Sequence, residues 1–276
     1  MTVDAKTPTD DPFDIATRVT TVDGQTRGHT SDAYWAFIGP FGGVTAGVML
    51  RAIVEHPERQ GDPLALTVNY CAPLARGPFD LTTRAIKTNR SSQHWSVELS
   101  QNGEVAAFAT AVFAARRTTW SHQEKTMPQT TPFAEAEIYP DNGAAPWVGQ
   151  YQFRFTEGRP RTTSAPFETP ASARSTLWIR DISPRKIDAI SLASMSDAFF
   201  ARIFHVRKQL LPIGTVSMTV YFHADADDIA AANTEHVLGT ADASVFHKSY
   251  SDQLTELWSP DGKLLATSQQ VTYFKV

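Results

Sequence analysis

Gln270 lies in "GKLLATSQQVTYF", and a shorter form of that stretch occurs much earlier as "NGEVAAFATAVFA". With Gly103 laid on Gly262, Ala107 falls on Ala266 and Ala111 falls on Gln270. A polar amide whose counterpart is Ala is not there for packing, and if buried it needs hydrogen-bond partners. Its chemistry would be to orient a water or to polarise a carbonyl. Gln269 projects to the opposite face of the same strand and is expected to be exposed. A second candidate is Asp197, in "DAISLASMSDAFFARIFHV", where Ile190, Ala193, Asp197 and Phe200 fall near one face of an expected helix. Burial raises a carboxyl pKa, which suits a general base. The other reading of Asp197 is structural, a carboxylate that accepts hydrogen bonds and holds the helix in place. Asp242 and Asp252 fall near turns or exposed faces and read as solvated. Cys71, in the strand-like "LTVNYCAP", reads as a small buried residue rather than a nucleophile.

Several other chemistries lack their signatures. There is no Gly-x-Ser-x-Gly elbow, Walker A loop, Gly-x-Gly-x-x-Gly or His-Glu-x-x-His, and the eight histidines show no metal-ligand spacing. No metal or redox cofactor is implied.

The elements that must position these side chains occur twice. "FGGVTAGVMLRAIVEH" (Phe41–His56) has an approximate helical pattern that starts at Gly42 and Gly43 and stops at Pro57. "DAISLASMSDAFFARIFHV" (Asp188–Val206) is its counterpart, with Asp188 as a plausible N-cap. A strand follows each helix, Leu66-Thr67-Val68 falling on Met218-Thr219-Val220. Two further strands follow, "PFDLTTRAIKT" and "SQHWSVELSQNG" matching "HVLGTADASVFH" and "SDQLTELWSPDG". "TRVTTVDGQTRGHT" supplies a first strand to one half, and "YQFRFTEGRP" with "RSTLWIRDIS" to the other. Each half is thus a long apolar helix and an antiparallel sheet joined by Asn-Gly and Asp-Gly turns, and a sheet curled around its helix is the natural way to bury it. The expected fold class is α+β, a double hotdog with two repeats, roughly Thr17–Ala115 and Gln150–Val276. The domain division is 1–115, a linker over 116–149, and 150–276. The linker stretch, rich in Pro, Thr and Glu, is expected to run over the surface.

A chain of 276 residues can hold two such units. Hydrophobic residues at 42% and charged residues at 20% fit an ordinary soluble protein. The net charge of −4 and the lack of a basic stripe argue against nucleic acid. The single cysteine cannot form an intrachain disulfide and suits a reducing cytoplasm. The polar, acidic start "MTVDAKTPTDDPFD" does not read as a signal peptide, and no run approaches the roughly 18 apolar residues of a membrane span.

In their order and spacing, "FGGVTAGVMLRAI", "YCAPLARGPFDL", "STLWIRDIS", "LASMSDAFF", "TVSMTVYFHA" and "GKLLATSQQ" resemble segments of the acyl-CoA thioesterase II family, the double-hotdog thioesterases. The resemblance covers most of the chain. It implies hydrolysis of fatty or related acyl-CoA thioesters in lipid metabolism, by a water held between an Asp, a Thr and a Gln. It also implies acyl-CoA as partner and further pairing into a homo-oligomer. The family Gln carries over to Gln270. The Thr aligns with Ser244, with Thr240 a second register. The Asp falls on Ser217, which cannot take up a proton at neutral pH, so Asp197 is the best substitute base. Phe41, Gly42 and Gly43 are candidates to contact the thioester or the pantetheine arm, since helix amides receive negative charge; close helix–sheet packing explains the glycines equally. Arg90, beside Ser91 and Ser92, resembles a stretch that faces CoA, and His223 echoes the family's Phe-His; both have ordinary structural readings as well. The alternative function is a catalytically degenerate hotdog protein that binds acyl-CoA or a pathway intermediate without cleaving it, and Ser217 favours it. A hotdog hydratase or dehydratase ranks third, for want of a closely spaced Asp–His pair.

Overall fold

A computed structural model describes residues 11–140, 143, 145–163 and 170–276. The first ten residues, and part of the Pro-rich linker motif at 141, 142 and 144, lie outside the described residues.

The first half carries a short helix α1 (Pro12–Ala16), the hairpin β1 (Thr20–Val22) and β2 (Gln25–His29), the helix α2 (Gly42–Val54), and the strands β3 (Asp62–Tyr70), β4 (Pro78–Thr88), β5 (Ser92–Gln101) and β6 (Glu104–Ala114). The connection to the second half includes β7 (Glu137–Ile138) and a 3-10 helix (Pro146–Gln150). The second half carries β8 (Tyr151–Glu157), β9 (Ser175–Asp181), the helices α3 (Ala189–Met195) and α4 (Arg202–Arg207), and β10 (Ile213–Phe222). It ends with α5 (Ala226–Ala232), β11 (Val237–Asp242), β12 (Phe246–His247), β13 (Tyr250–Trp258) and β14 (Leu264–Phe274).

All the strands join in one antiparallel sheet, in the order β1-β2-β4-β5-β6-β3-β10-β14-β13-β11-β9-β8-β7, with β12 on β13. The halves meet where β3 pairs with β10, so the sheets join edge to edge. Thr67 pairs with Thr219 there, and their hydroxyls lie 3.0 Å apart. These two residues are counterparts in the repeat, which places a local two-fold axis between them. The register agrees on both sides of it: Leu66 faces Ala111 in one half, and Met218 faces Gln270 in the other.

The helices α2 and α3 pack against each other, with α2 lying on the sheet. Gly43 permits this contact, since a Cβ there would stand 2.4 Å from the Ser194 carbonyl oxygen of α3. The helix α3 starts on a capping box: the Ser191 amide donates to Asp188 Oδ1 at 2.7 Å, and the Asp188 amide donates to Ser191 Oγ at 2.9 Å. The single helix expected over Asp188–Val206 is broken. α3 stops at Met195, and a non-helical stretch carries Asp197 and Phe199 before α4. Ser and Asp compete with the helical ladder through their own side chains, and here the Ser196 hydroxyl donates back to the Leu192 carbonyl at 2.8 Å. The break also seats the Phe199 ring on the sheet over Gly239, where an added Cβ would lie 2.1 Å from that ring.

The connecting segment is largely exposed, but some of its apolar residues are packed. Met127, Phe133 and Ala136 pack on Trp178, Leu238 and Trp258, and β7 extends the sheet beside β8. Its last turn brings Trp147 onto Phe41, with the rings stacked at 4.3 Å. Apolar residues in the segment anchor it against aromatic surface of both halves.

Candidate active site

A cavity of about 380 Å³ opens between the halves. The first half contributes the loop entering α2 and the end of β3, and the connecting segment adds Tyr139 and Trp147. The second half contributes the turn from Asp197 to Ala201 and the inner faces of β10, β13 and β14.

Asp197 sits on this wall at the N-terminus of α2, beside the Gly43 amide and the Gln270 side chain, both of which favour its charged form. Burial pushes its carboxyl up to about 7, and those two donors pull the other way. Gly42 is required for this approach, because a Cβ there would lie 2.7 Å from Asp197 Oδ2. The Tyr70 hydroxyl donates to the Gly42 carbonyl at 2.8 Å, and burial together with Asp197 holds that phenol well above its ordinary pKa.

Gln270 is 3% exposed and lines the same cavity. Its Oε1 accepts a hydrogen bond from Thr215 Oγ1 at 3.2 Å, which leaves its N–H for Asp197. Thr215 reaches inward because β10 bulges at Val216. Thr215 is opposite buried Thr272, whereas Ser217 is opposite exposed Val271. Two residues apart in a regular strand would share a face; the extra residue separates them. Asp197, Thr215 and Gln270 therefore form one connected group, in which a carboxylate of near-neutral pKa stands beside an amide and a hydroxyl.

Phe41 and Gly42 line the cavity, and Gly43 lies under them as a donor to Asp197 and a packing contact. The other residues singled out from sequence are elsewhere. Ser217 faces outward between Asn69 and Val271. Ser244 is exposed in the turn after β11, where its amide donates to Asp252 at 2.9 Å; Asp252 is thus a turn anchor. Thr240 donates to Glu256 at 3.3 Å, away from the cavity wall. Arg90 is exposed in the turn between β4 and β5 and is not on that wall. His223 is exposed at the end of β10, 2.9 Å from Thr267 Oγ1, and burial and then Arg116 lower its pKa. Cys71 is exposed rather than buried, and it does line the cavity, because it lies one residue beyond β3 where the side chain leaves the core face.

Sequence reasoning also passed over Gln253, a buried residue of the cavity wall directly across from Gln270. Its counterpart in the first half is Trp95, opposite Ala111. The Gly-to-Gly alignment matched it with His94 instead, because Gln253 and Gln270 are 17 positions apart whereas Trp95 and Ala111 are 16. Arg202 lies behind Gln253 and donates to its Oε1 at 3.1 Å. Arg202 is 1% exposed, and burial pulls its pKa down to about 9, so it remains charged at neutral pH. Among the described residues no group of three or more His, Cys, Asp or Glu is placed to hold a metal ion. Among them, no helix is long and apolar enough to cross a membrane.

This doubled helix-and-sheet architecture, with one polar group in a cavity between the halves, defines a hotdog protein of the thioesterase kind. Residues 31–114 match the acyl-CoA thioesterase N-terminal domain and residues 121–274 the acyl-CoA thioesterase C-terminal domain. The chain belongs to the acyl-CoA thioesterase family. Among solved structures it is similar to a conserved protein of unknown function with a hot dog fold from Alicyclobacillus acidocaldarius, at 42% identity and a TM-score of 0.89, over 96% of this chain and 98% of that one. It also resembles the acyl-CoA thioesterase II TesB2 from Mycobacterium marinum, at 18% identity and a TM-score of 0.74, over 95% and 98% of the two chains. The tesB protein of Mycobacterium avium subs paratuberculosis gives 16% identity and a TM-score of 0.75, over 97% and 100%. No curated protein matches.

Proposed function

We propose that the protein hydrolyses acyl-CoA thioesters to the free acid and CoA. The observation that carries this reading is the contact of Asp197 with Gln270, itself bonded to Thr215, on the wall of the cavity. An Asp, a Thr and a Gln are the set that the family resemblance implies, and these three residues supply one of each. Asp197 is then the family carboxylate itself, and Ser217 marks no loss. A carboxyl with a pKa near 7 is matched to proton transfer at neutral pH. Asp197 takes a proton from the water as its oxygen bonds to the thioester carbon. The C–S bond then breaks, and the proton passes to the departing CoA thiolate. Thr215 fixes the amide of Gln270, and Gln270 fixes the carboxylate. The N-terminus of α2, at Gly42 and Gly43, supplies the positive end of a helix dipole to the developing oxyanion.

The cavity's aromatic wall, with Phe41 and Trp147, supports an apolar acyl partner in lipid metabolism. The division into 1–115, a connecting 116–149 and 150–276 is supported by the matching strand order on either side of the Thr67–Thr219 pair. A homo-oligomer is supported by exposed Tyr250, Leu254, Val271 and Tyr273 on the outer face of the sheet, and a cytoplasmic setting by the unpaired Cys71.

The test is thiol release from a panel of acyl-CoA esters by the wild type and by Asp197→Asn. Release that depends on Asp197 supports hydrolysis. Binding of an ester with no thiol release in the wild type supports the non-hydrolysing alternative.

A further inference from the structure

Gln253 is 1% exposed and belongs to the cavity wall, yet its Nε2 has no hydrogen-bond partner. Its orientation is fixed, because Oε1 is held by Arg202 at 3.1 Å. Arg202 in turn is fully engaged. It donates to the carbonyl of Ala173 and the hydroxyl of Ser175, each at 2.8 Å, to the carbonyl of Ala241 at 3.5 Å, and to the carbonyl of Phe200. No carboxylate among the described residues forms an ion pair with it, and Asp242 acts on it only through space, against the effect of burial. A buried cation therefore stands behind an amide whose only free group is a donor. The repeat shows that this is not a requirement of the fold: the counterpart pair in the first half is Trp95 and Ala111, both buried and apolar.

Buried donors in native proteins are met by protein, water or ligand acceptors, and one in a cavity wall is placed to meet an acceptor on a ligand. Gln253 is directly opposite Gln270 on the neighbouring strand, which puts their Cβ atoms about 5 Å apart. An acceptor that meets Gln253 thus lies within the first few carbons of a thioester held at Gln270. At this depth the wall encloses the acyl group, because the charged end of CoA must stay in water.

We infer that Gln253, oriented by Arg202, is a specificity-determining residue that selects acyl groups carrying a hydroxyl or oxo oxygen near the thioester. This inference rests on the proposed hydrolysis, and it names the substrate class. The positive charge of Arg202 reinforces the preference, since it strengthens the amide N–H towards an electron-rich oxygen.

The experiment compares butyryl-CoA with 3-hydroxybutyryl-CoA, and hexanoyl-CoA with 3-hydroxyhexanoyl-CoA and 3-oxohexanoyl-CoA. It uses the full chain and its Gln253→Leu and Gln253→Glu variants. In the wild type, kcat/KM for the oxygenated ester should exceed that for the plain one by about 10- to 100-fold, the cost of leaving a buried donor unmet. Gln253→Leu should bring the ratio near one. Gln253→Glu keeps the partner of Arg202, serves as the folding control, and should also lose the preference because it lacks the N–H donor. Thermal melts identify a variant that has merely unfolded. A wild-type ratio within about threefold of one, or a preference kept in a folded variant, overturns the inference and leaves the hydrolysis reading intact. If no ester releases thiol, hydrolysis fails, and the same ratios are read from dissociation constants by calorimetry. Equal constants there overturn the inference as well.

Discussion

Thr215 Oγ1 donates to Gln270 Oε1 at 3.2 Å across β10 and β14, a contact that exists because the strand bulges at Val216. The hydroxyl decides which end of the amide faces Asp197. Thr215→Val keeps the side-chain shape and removes the donor. Net stability should change by about 1 kcal/mol at most, measured by denaturant titration. Turnover should fall by about tenfold or more, because the amide loses its fixed direction. An unchanged kcat would show that Gln270 is oriented without Thr215.

Gln270→Ala gives β14 what β6 already has at Ala111, so the strand should tolerate it. Turnover should fall by about 10²- to 10³-fold, with the melting temperature little altered. Unfolding of the variant would show that the amide is structural.

The pH dependence follows from Asp197. Its carboxyl must be ionised to act as a base, and burial has raised its pKa to about 7. Activity should therefore rise with pH, pass its midpoint near 7, and level off above. Asp197→Asn should lower the plateau by about 10²- to 10⁴-fold and remove that inflection. Stability moves the other way. The folded pKa is raised above the ordinary 3.8, so this group's contribution is full below that value and is lost as pH rises through about 7. Stability measured across pH 4 to 8, for the wild type against Asp197→Asn, isolates that contribution.

Adjacent glycines should fail differently. In Gly42→Ala the new Cβ meets Asp197 Oδ2 at 2.7 Å, so the carboxylate is displaced and kcat falls while the fold persists. In Gly43→Ala it meets the Ser194 backbone at 2.4 Å, so α2 and α3 must part and stability should drop by about 1–3 kcal/mol. Equal melting temperatures for the two variants would contradict this assignment.

Ser217→Asp should not raise turnover. Ser217 pairs with Val271 on the exposed face, so a carboxylate there meets solvent, not substrate. A gain in thiol release would mean that β10 can shift its register.

The repeat was legible because its information is local: helix periodicity, Asn-Gly and Asp-Gly turns, and matched strands. The pairing of Leu66 with Ala111 and of Met218 with Gln270 follows that alignment directly. Gln270 was legible as a difference between twins. The remainder of the site depends on single-residue irregularities that no pattern announces. The bulge at Val216 turns Thr215 inward while Ser217 stays outward, although regular alternation puts the two on one face. One extra residue between the paired positions of β13 and β14 shifted the alignment of β13 and concealed the exchange of Trp95 for Gln253. The helix break at Asp197 comes with the local side-chain competition at Ser196, and it leaves Asp197 beside Gly43 and Gln270 in spite of the apolar periodicity across it.

The connecting segment has no twin. Two identical chains meeting along β3 and β10 would form two equal clefts, each open in the same way. Here Tyr139 and Trp147 come from residues that occur only once, and they wall the cavity on one side of the axis. Joining the halves thus breaks their symmetry as well as tethering them. Splitting the chain within this segment and recombining the pieces would restore pairing along β3 and β10 without restoring the covalent path that delivers Trp147 to Phe41. The asymmetry of the cavity is thus written into the covalent order of the chain.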